Sequence, residues 1–561
     1  MKHDTSGGPP AGTRVSLRGV ERMVSATDGV STKLAHSMLV RGDTANLLRF
    51  LPTALLNTFN MHPRMRALQV RDELFTAEIQ APVTAEDLAS LLHVRMLAPA
   101  DYGDGAPSSW QAFVESECSI GFDRYTQLPF YLTVWMAKRK AYARFMLFSD
   151  QYMSDSFSGV VVLHCLLEQI SLLARAQHHV PLMPTATEFP LPPSLYRLWL
   201  KRLTWAKPLL KGTTALFGRR LFRGHVHRFT PLVSARSDQQ DFAVPPVTNS
   251  TLALFADGEP TCMQQALGRC RHEGVTLQAV LTVVVLLAFY RVQSTGTGHR
   301  GRCSSPFRVV LDVDCNMRPH VQCPPAPNDD HHQVGLFTAT TDLRWLTSEG
   351  VDVLATRFWD AADRATREVQ TNLKHTLSMA LPTITADQKL NATMDVSFLR
   401  DVRVAHSVTA DGGVAEVVRY PFAKHHSLTA WSEAHGQSGL PSPSPSSSPE
   451  QRSSDLMLSS DDEGASSQQL LQPERTDSTT PPDGLSIASL HVYKALPHLA
   501  PSATVFLSAV NAFGYSMAHK VEPDVANALF TTLVVIFESV GSIGRDETLL
   551  DVLARVDTDH E

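Results

Sequence analysis

The sequence predicts an α/β protein with more than one domain, and three observations carry that expectation. Its 561 residues exceed what one hydrophobic core usually serves. A strand-like run at 141–148 passes through the turn Gln151-Tyr152-Met153-Ser154-Asp155-Ser156-Phe157-Ser158-Gly159 into an apolar helical run at 160–173. Farther on, an apolar run at 275–290 precedes the strand-like Val309-Val310-Leu311-Asp312-Val313-Asp314.

Each element follows from its residues. Positions 1–13 are polar and Gly/Pro-rich, without the charged and apolar regions of a signal peptide, and are expected as a disordered tail. Val20-Glu21-Arg22 leads into an extended stretch. Leu47, Leu51, Leu55 and Phe59 then recur at helical spacing up to His62-Pro63-Arg64-Met65-Arg66. Trp110-Gln111-Ala112-Phe113 and Leu128-Pro129-Phe130-Tyr131 precede the strand at 141–148. The run at 275–290 holds Thr276, Gln278 and Thr282 and falls short of the about 18 to 20 residues of a membrane span, so it is expected as a buried core helix.

Charge is uneven along the chain. The net charge is -6, and the Ser/Pro-rich stretch 437–484 alone accounts for that value, with eight acidic residues against Arg452 and Arg475. Such a composition cannot offset the entropy of ordering, so an acidic disordered insert is expected there. By contrast, 189–237 carries ten Lys and Arg residues, Lys201, Arg202, Arg219 and Arg220 among them, and no acid. Leu195, Leu198, Trp199 and Trp205 are interleaved with these cations. Two readings stand side by side: a basic amphipathic surface for anionic lipid, coenzyme A phosphates or an acidic partner, and a linker helix with a solvated basic face. No nucleic-acid-binding module accompanies the patch, so nucleic acid is not expected.

Seven cysteines without C-x-x-C spacing point to reduced thiols, a cytoplasmic location and no metal site. The histidine pairs His178-His179, His331-His332 and His425-His426 read as surface or loop residues, and His164 as a packed core residue.

The turn at 151–159 resembles the His-x-x-x-Asp-Gly turn of the superfamily that joins chloramphenicol acetyltransferase, condensation domains, alcohol acetyltransferases, wax ester synthases and polyketide-associated acyltransferases. Gln151 stands at the histidine's place, Asp155 at the aspartate's and Ser156 at the glycine's, with Ser158 and Gly159 completing the turn. Residues 62–66, Asn316-Met317-Arg318-Pro319, Val334-Gly335-Leu336-Phe337 and the turn holding Asn511 and Gly514 are similar to other segments of that family, in the same order.

The resemblance implies a two-lobed chloramphenicol acetyltransferase-like fold with the active-site channel between the lobes. The N-terminal lobe would span 14–185, a basic linker 186–244 and the C-terminal lobe 245–555, interrupted by the insert. It implies acyl transfer from a thioester, with acyl-CoA as co-substrate and no tightly bound cofactor, to an alcohol, amine or lipid acceptor. Asp155 would be structural, paired with Arg318 of the second lobe. In the family the histidine takes the acceptor's proton, and a glutamine does not titrate. A pseudoenzyme that binds acyl-CoA or lipid as a sensor or scaffold is therefore the alternative, and peripheral membrane contact through 189–237 stays open beside a purely cytoplasmic location.

Overall fold

The computed structural model of the protein describes residues 10–25, 31–73, 75–97, 109–137, 142–176, 188–202, 230–236, 251–296, 306–321, 334–374, 410–428, 484–496 and 500–558, with 212, 379 and 387 singly. The first half runs β1 (Arg14–Ser16), α1 (Val20–Ser25), β2 (Lys33–Gly42), α2 (Thr44–Met61), β3 (Ala67–Gln69), β4 (Thr76–Ile79), α3 (Leu88–Leu91), β5 (Leu92–Leu97), α4 (Ser109–Ser119), β6 (Phe130–Ala137), β7 (Tyr142–Asp150), α5 (Ser156–Arg175) and α6 (Leu195–Arg202). The second half runs β8 (Leu252–Asp257), α7 (Pro260–Glu273), α8 (Leu277–Gly296), β9 (Leu311–Asn316), β10 (Thr338–Asp342), α9 (Phe358–Lys374), β11 (Gly412–Val414), β12 (Val418–Arg419), β13 (His425–Ser427), β14 (Gly484–Lys494), β15 (Ala503–Ala509), β16 (Phe513–His519), α10 (Pro523–Ser539) and α11 (Leu549–Thr558).

Two large sheets organise the molecule. One has the order β13-β14-β2-β7-β6-β5, the other β10-β9-β11-β15-β16-β8 with β12 beside β15, and a small sheet β1-β4-β3 flanks the first. Each large sheet has its own hydrophobic core. The pattern on β9 shows how sequence sets the faces: Leu311, Val313 and Cys315 are buried in the second core, while Asp312, Asp314 and Asn316 alternate onto the opposite face. The result is the mixed α/β architecture that the sequence predicts.

The lobes are not contiguous in the chain. The expected division at 185 and 245 places everything after 245 in the second lobe, yet β13 and β14 extend the first lobe's sheet. β14 pairs antiparallel with β2 from Leu485 opposite Gly42 to Lys494 opposite Leu34. Backbone pairing between segments some 450 residues apart leaves no local pattern, which is why sequence reading missed it.

Three further expectations change. The core helix α8 reaches Gly296, so it is longer than its apolar run. By length and composition it could span a bilayer, as could 156–175 and 523–542, and all three pack within the protein to differing degrees. Leu195, Leu198 and Trp199 of α6 are buried in the second core, so these three apolar side chains are covered by protein and do not form an exposed amphipathic face. His426 is buried, its ring 5.7 Å from that of His164, rather than a surface histidine. Residues 203–211 and 213–229, with Arg219 and Arg220, lie outside the described residues, as do the side chains of Lys201 and Arg202. So do the insert up to residue 483, the first nine residues, His178-His179 and His331-His332.

Candidate functional site at the lobe junction

The expected site residues converge where α5 begins. β7 ends at Asp150, a tight turn follows, and Asp155, with extended backbone, caps α5 by accepting from Ser158 N–H at 2.8 Å. An acidic cap satisfies a free amide at the helix start and complements its positive end. Asp155 also receives both arms of Arg318, Nη1 to Oδ2 and Nη2 to Oδ1, each at 2.9 Å. Its Oδ2 accepts Phe337 N–H at 2.8 Å.

Ser158 ties the same network to the second lobe. Its hydroxyl lies 2.7 Å from Asp155 Oδ1, 2.8 Å from the Gly335 carbonyl and 2.9 Å from Arg318 Nη2. The guanidinium packs between the rings of Phe157 and Phe337 at 5.1 and 4.8 Å. The structure thus brings together Asp155, Ser158 and Arg318 as a buried clasp between lobes. Ser156 opens the helix one residue after the cap and is also buried.

Gln151 sits at the mouth of the turn. Its backbone N–H donates to Thr32 O at 3.0 Å. Its side-chain Oε1 is buried and has no hydrogen-bond partner. Gly159 has a steric reason: a Cβ there would lie 2.2 Å from the His36 ring. That ring is fully buried, with Nε2 2.7 Å from Ser156 O, and burial pushes His36 down to about 4. The neutral imidazole therefore donates through Nε2–H, and Nδ1 is left without a partner.

Asn511 and Gly514 lie at the β15–β16 hairpin. Asn511 Nδ2 donates to Ile487 O at 2.7 Å, and a Cβ on Gly514 would lie 2.2 Å from Leu490 O. The hairpin therefore seats on β14 through close backbone approach, at a second contact between the lobes.

Sequence reading missed several groups here. Asp150, just before Gln151, forms a buried pair with Arg124, Nε to Oδ2 at 2.9 Å. Arg64 of the 62–66 segment pairs with Glu21 at 2.7 Å and reaches Met153 Sδ of the turn at 3.7 Å. Glu416, between β11 and β12, is buried with neither carboxyl oxygen in a hydrogen bond of normal geometry, and Asp155, Arg318 and the Phe157 amide are its neighbours. Burial and the Asp155 charge push it up to about 8, against the pull of Arg318. A signal for a buried acid, an ionisable residue inside an apolar run, is present in Gly413-Val414-Ala415-Glu416-Val417-Val418 but is weak. Among the described residues no three His, Cys, Asp or Glu side chains are gathered as a metal site needs.

The chain matches no protein-family model and no curated protein. Solved structures do match over nearly the whole length. The first condensation domain of the calcium-dependent antibiotic synthetase matches with a TM-score of 0.57 and 11% identity, over 97% of this chain and 99% of that one. The trichothecene 15-O-acetyltransferase TRI3 from Fusarium sporotrichioides gives a TM-score of 0.58 and 11% identity, over 94% and 95%. Polyketide synthase associated protein 5 from Mycobacterium tuberculosis gives 0.51 and 12%, over 94% and 99%. With two sheets meeting at the α5 turn and full-length matches of this kind, the chain has the two-lobed chloramphenicol acetyltransferase-like fold of condensation domains.

Proposed function

We propose that the protein transfers an acyl group from a thioester, acyl-CoA in the simplest case, to an amine or alcohol at the lobe junction beside Gln151. The observation that carries this reading is the pairing of a complete Asp155–Ser158–Arg318 clasp with an unpartnered acceptor, Gln151 Oε1, four residues before the cap. An acceptor N–H or O–H donating to Oε1 would be held with its lone pair free for the thioester carbonyl. The new C–N or C–O bond forms as the C–S bond breaks, and the leaving sulfur takes the displaced proton. The Gln151 amide orients the acceptor and takes no proton, so the about 10²–10⁴-fold contribution of a positioned base is forgone at this position. The reading needs no tightly bound cofactor, and a cytoplasmic location, with or without peripheral contact to a membrane surface, is proposed with it. The cations of 203–229, Arg219 and Arg220 among them, are left as partners for coenzyme A phosphates or an anionic surface.

That same amide favours the second reading, a pseudoenzyme that retains the junction to bind a thioester or lipid. Acyl-CoA binding and turnover measured on one preparation separates the two. In the first reading Gln151→His raises turnover by about 10²-fold. Binding without turnover in both proteins leaves the pseudoenzyme. A wild-type rate equal to that of the variant shows that the base lies elsewhere and removes Gln151 from the mechanism.

A further inference from the structure

The face of β9 turned away from the second core forms an acidic wall. Asp312 and Asp314 alternate on it, and Asp342 of β10 lies opposite Asp312 in register. Thr340 donates to Asp314 Oδ1 at 2.6 Å. The wall runs from exposed Thr340 and Asp342 at the sheet edge, past partly accessible Asp312 and Asp314, to buried Glu416, which neighbours both Asp314 and Asp155. Asp312 is deeply enclosed yet keeps some solvent exposure.

Among the described residues the cations nearby do not balance it. Arg318 is held by Asp155 in two hydrogen bonds, and Lys494, reaching across from β14, lies 3.8 Å from Asp314 Oδ2. Asp312, Asp342 and Glu416 have no ion pair of their own among the described residues, and both Glu416 oxygens lack a hydrogen bond of normal geometry. A buried carboxyl without partners is costly unless it is neutral or meets a cation. Burial with the Asp314 and Asp342 charges pushes Asp312 up to about 7, and burial pushes Glu416 up to about 8, so near neutral pH each carries a proton part of the time, and an arriving cation would favour the ionised forms.

We propose that this wall binds an organic cation, the ammonium group of an amine, between β9, β10 and Glu416. A metal ion fits less well, because no three of these ligands converge. A cation site here would give this side of the junction to an amine acceptor. That assignment rests on the acyl-transfer reading; the cation site does not. A bound ammonium attacks a thioester only after it has passed a proton to a carboxylate of the wall, a transfer that Gln151 cannot make.

The test is calorimetric titration of the full chain with hexylammonium and with spermidine, 1-hexanol serving as the uncharged control. Both amines should bind at least about 10-fold tighter than hexanol, release protons, and tighten by about 10-fold between about pH 6 and about pH 8.5. Across that range the groups facing Glu416 and Asp312 are Asp155, Asp314, Cys315, Arg318, Asp342 and Lys494. Glu416→Gln and Asp312→Asn should each weaken amine binding by about 10-fold. Asp312→Asn, on the partly accessible wall, serves if Glu416→Gln does not fold. Hexanol binding as tightly as hexylammonium, or amine binding unchanged in Asp312→Asn, overturns the site. Amine binding without acyl transfer to any acceptor leaves the site standing and removes the acyl-transfer reading; acyl transfer to hexanol without amine binding does the reverse.

Discussion

At position 151 a glutamine keeps the hydrogen-bonding capacity of a side chain but removes titration, while four residues on the structural aspartate remains in full use. Asp155 accepts from Ser158 N–H, Ser158 Oγ, Phe337 N–H and both arms of Arg318. Removing either partner strands a buried charge, so Asp155→Ala and Arg318→Ala should each cost about 3–5 kcal/mol in denaturant unfolding. The double variant should cost less than the sum by at least about 0.5 kcal/mol, because the second change removes a charge that the first has already left unpaired. Additive costs would mean that the two residues are stabilised by separate contacts. These residues were legible in the sequence because a strand, a four-residue spacing and a helix are local signals. Glu416 was not, because its meaning lies in neighbours more than 90 positions away, Arg318 and Asp155.

The element that closes the first sheet is equally hidden from local reading. β13 and β14 pair with Ser427 opposite Gly484, so the segment that contains the acidic insert, 429–483, connects two cross-strand neighbours as one hairpin connection. The composition of 437–484 marks an insert, and the register shows where it enters. Gly484, the last residue of the expected insert, opens β14. Joining Leu428 to Gly484 through a turn of about four residues should leave the melting temperature within about 3 °C of the full chain, or raise it, because shortening the loop lowers its closure entropy by about 2 kcal/mol. Calorimetry on the shortened protein decides this. A fall of more than about 5 °C would show that the insert packs against the lobes.

Across the whole molecule the buried ionisable groups pull stability in opposite directions with pH. His36, His426 and His519 are pushed down to about 4 by burial, so the unfolded chain binds more protons between about 4 and 6.5 and these groups add stability as pH rises through that window. Buried Lys520, pushed down to about 7, adds stability in the same sense between about 7 and 10.5. Glu416 acts the other way: held near 8 against an ordinary 4.5, it keeps its proton in the folded state, and its contribution is present below about 4.5 and lost by about 8. Asp312, near 7, follows the same sign. The wild-type curve mixes these terms, but the difference between wild type and Glu416→Gln isolates one of them. Without amine, unfolding free energies measured from about pH 5 to about pH 8 should show wild type losing stability relative to Glu416→Gln, because above the window its carboxylate is charged beside Asp155 while the amide stays neutral. Saturating hexylammonium should shrink that loss, since a bound cation stabilises the ionised carboxyl. A difference that stays flat with pH would mean that Glu416 is ionised throughout and already satisfied by Arg318 and the Phe157 amide, and the acidic wall would then have no displaceable proton at its inner end.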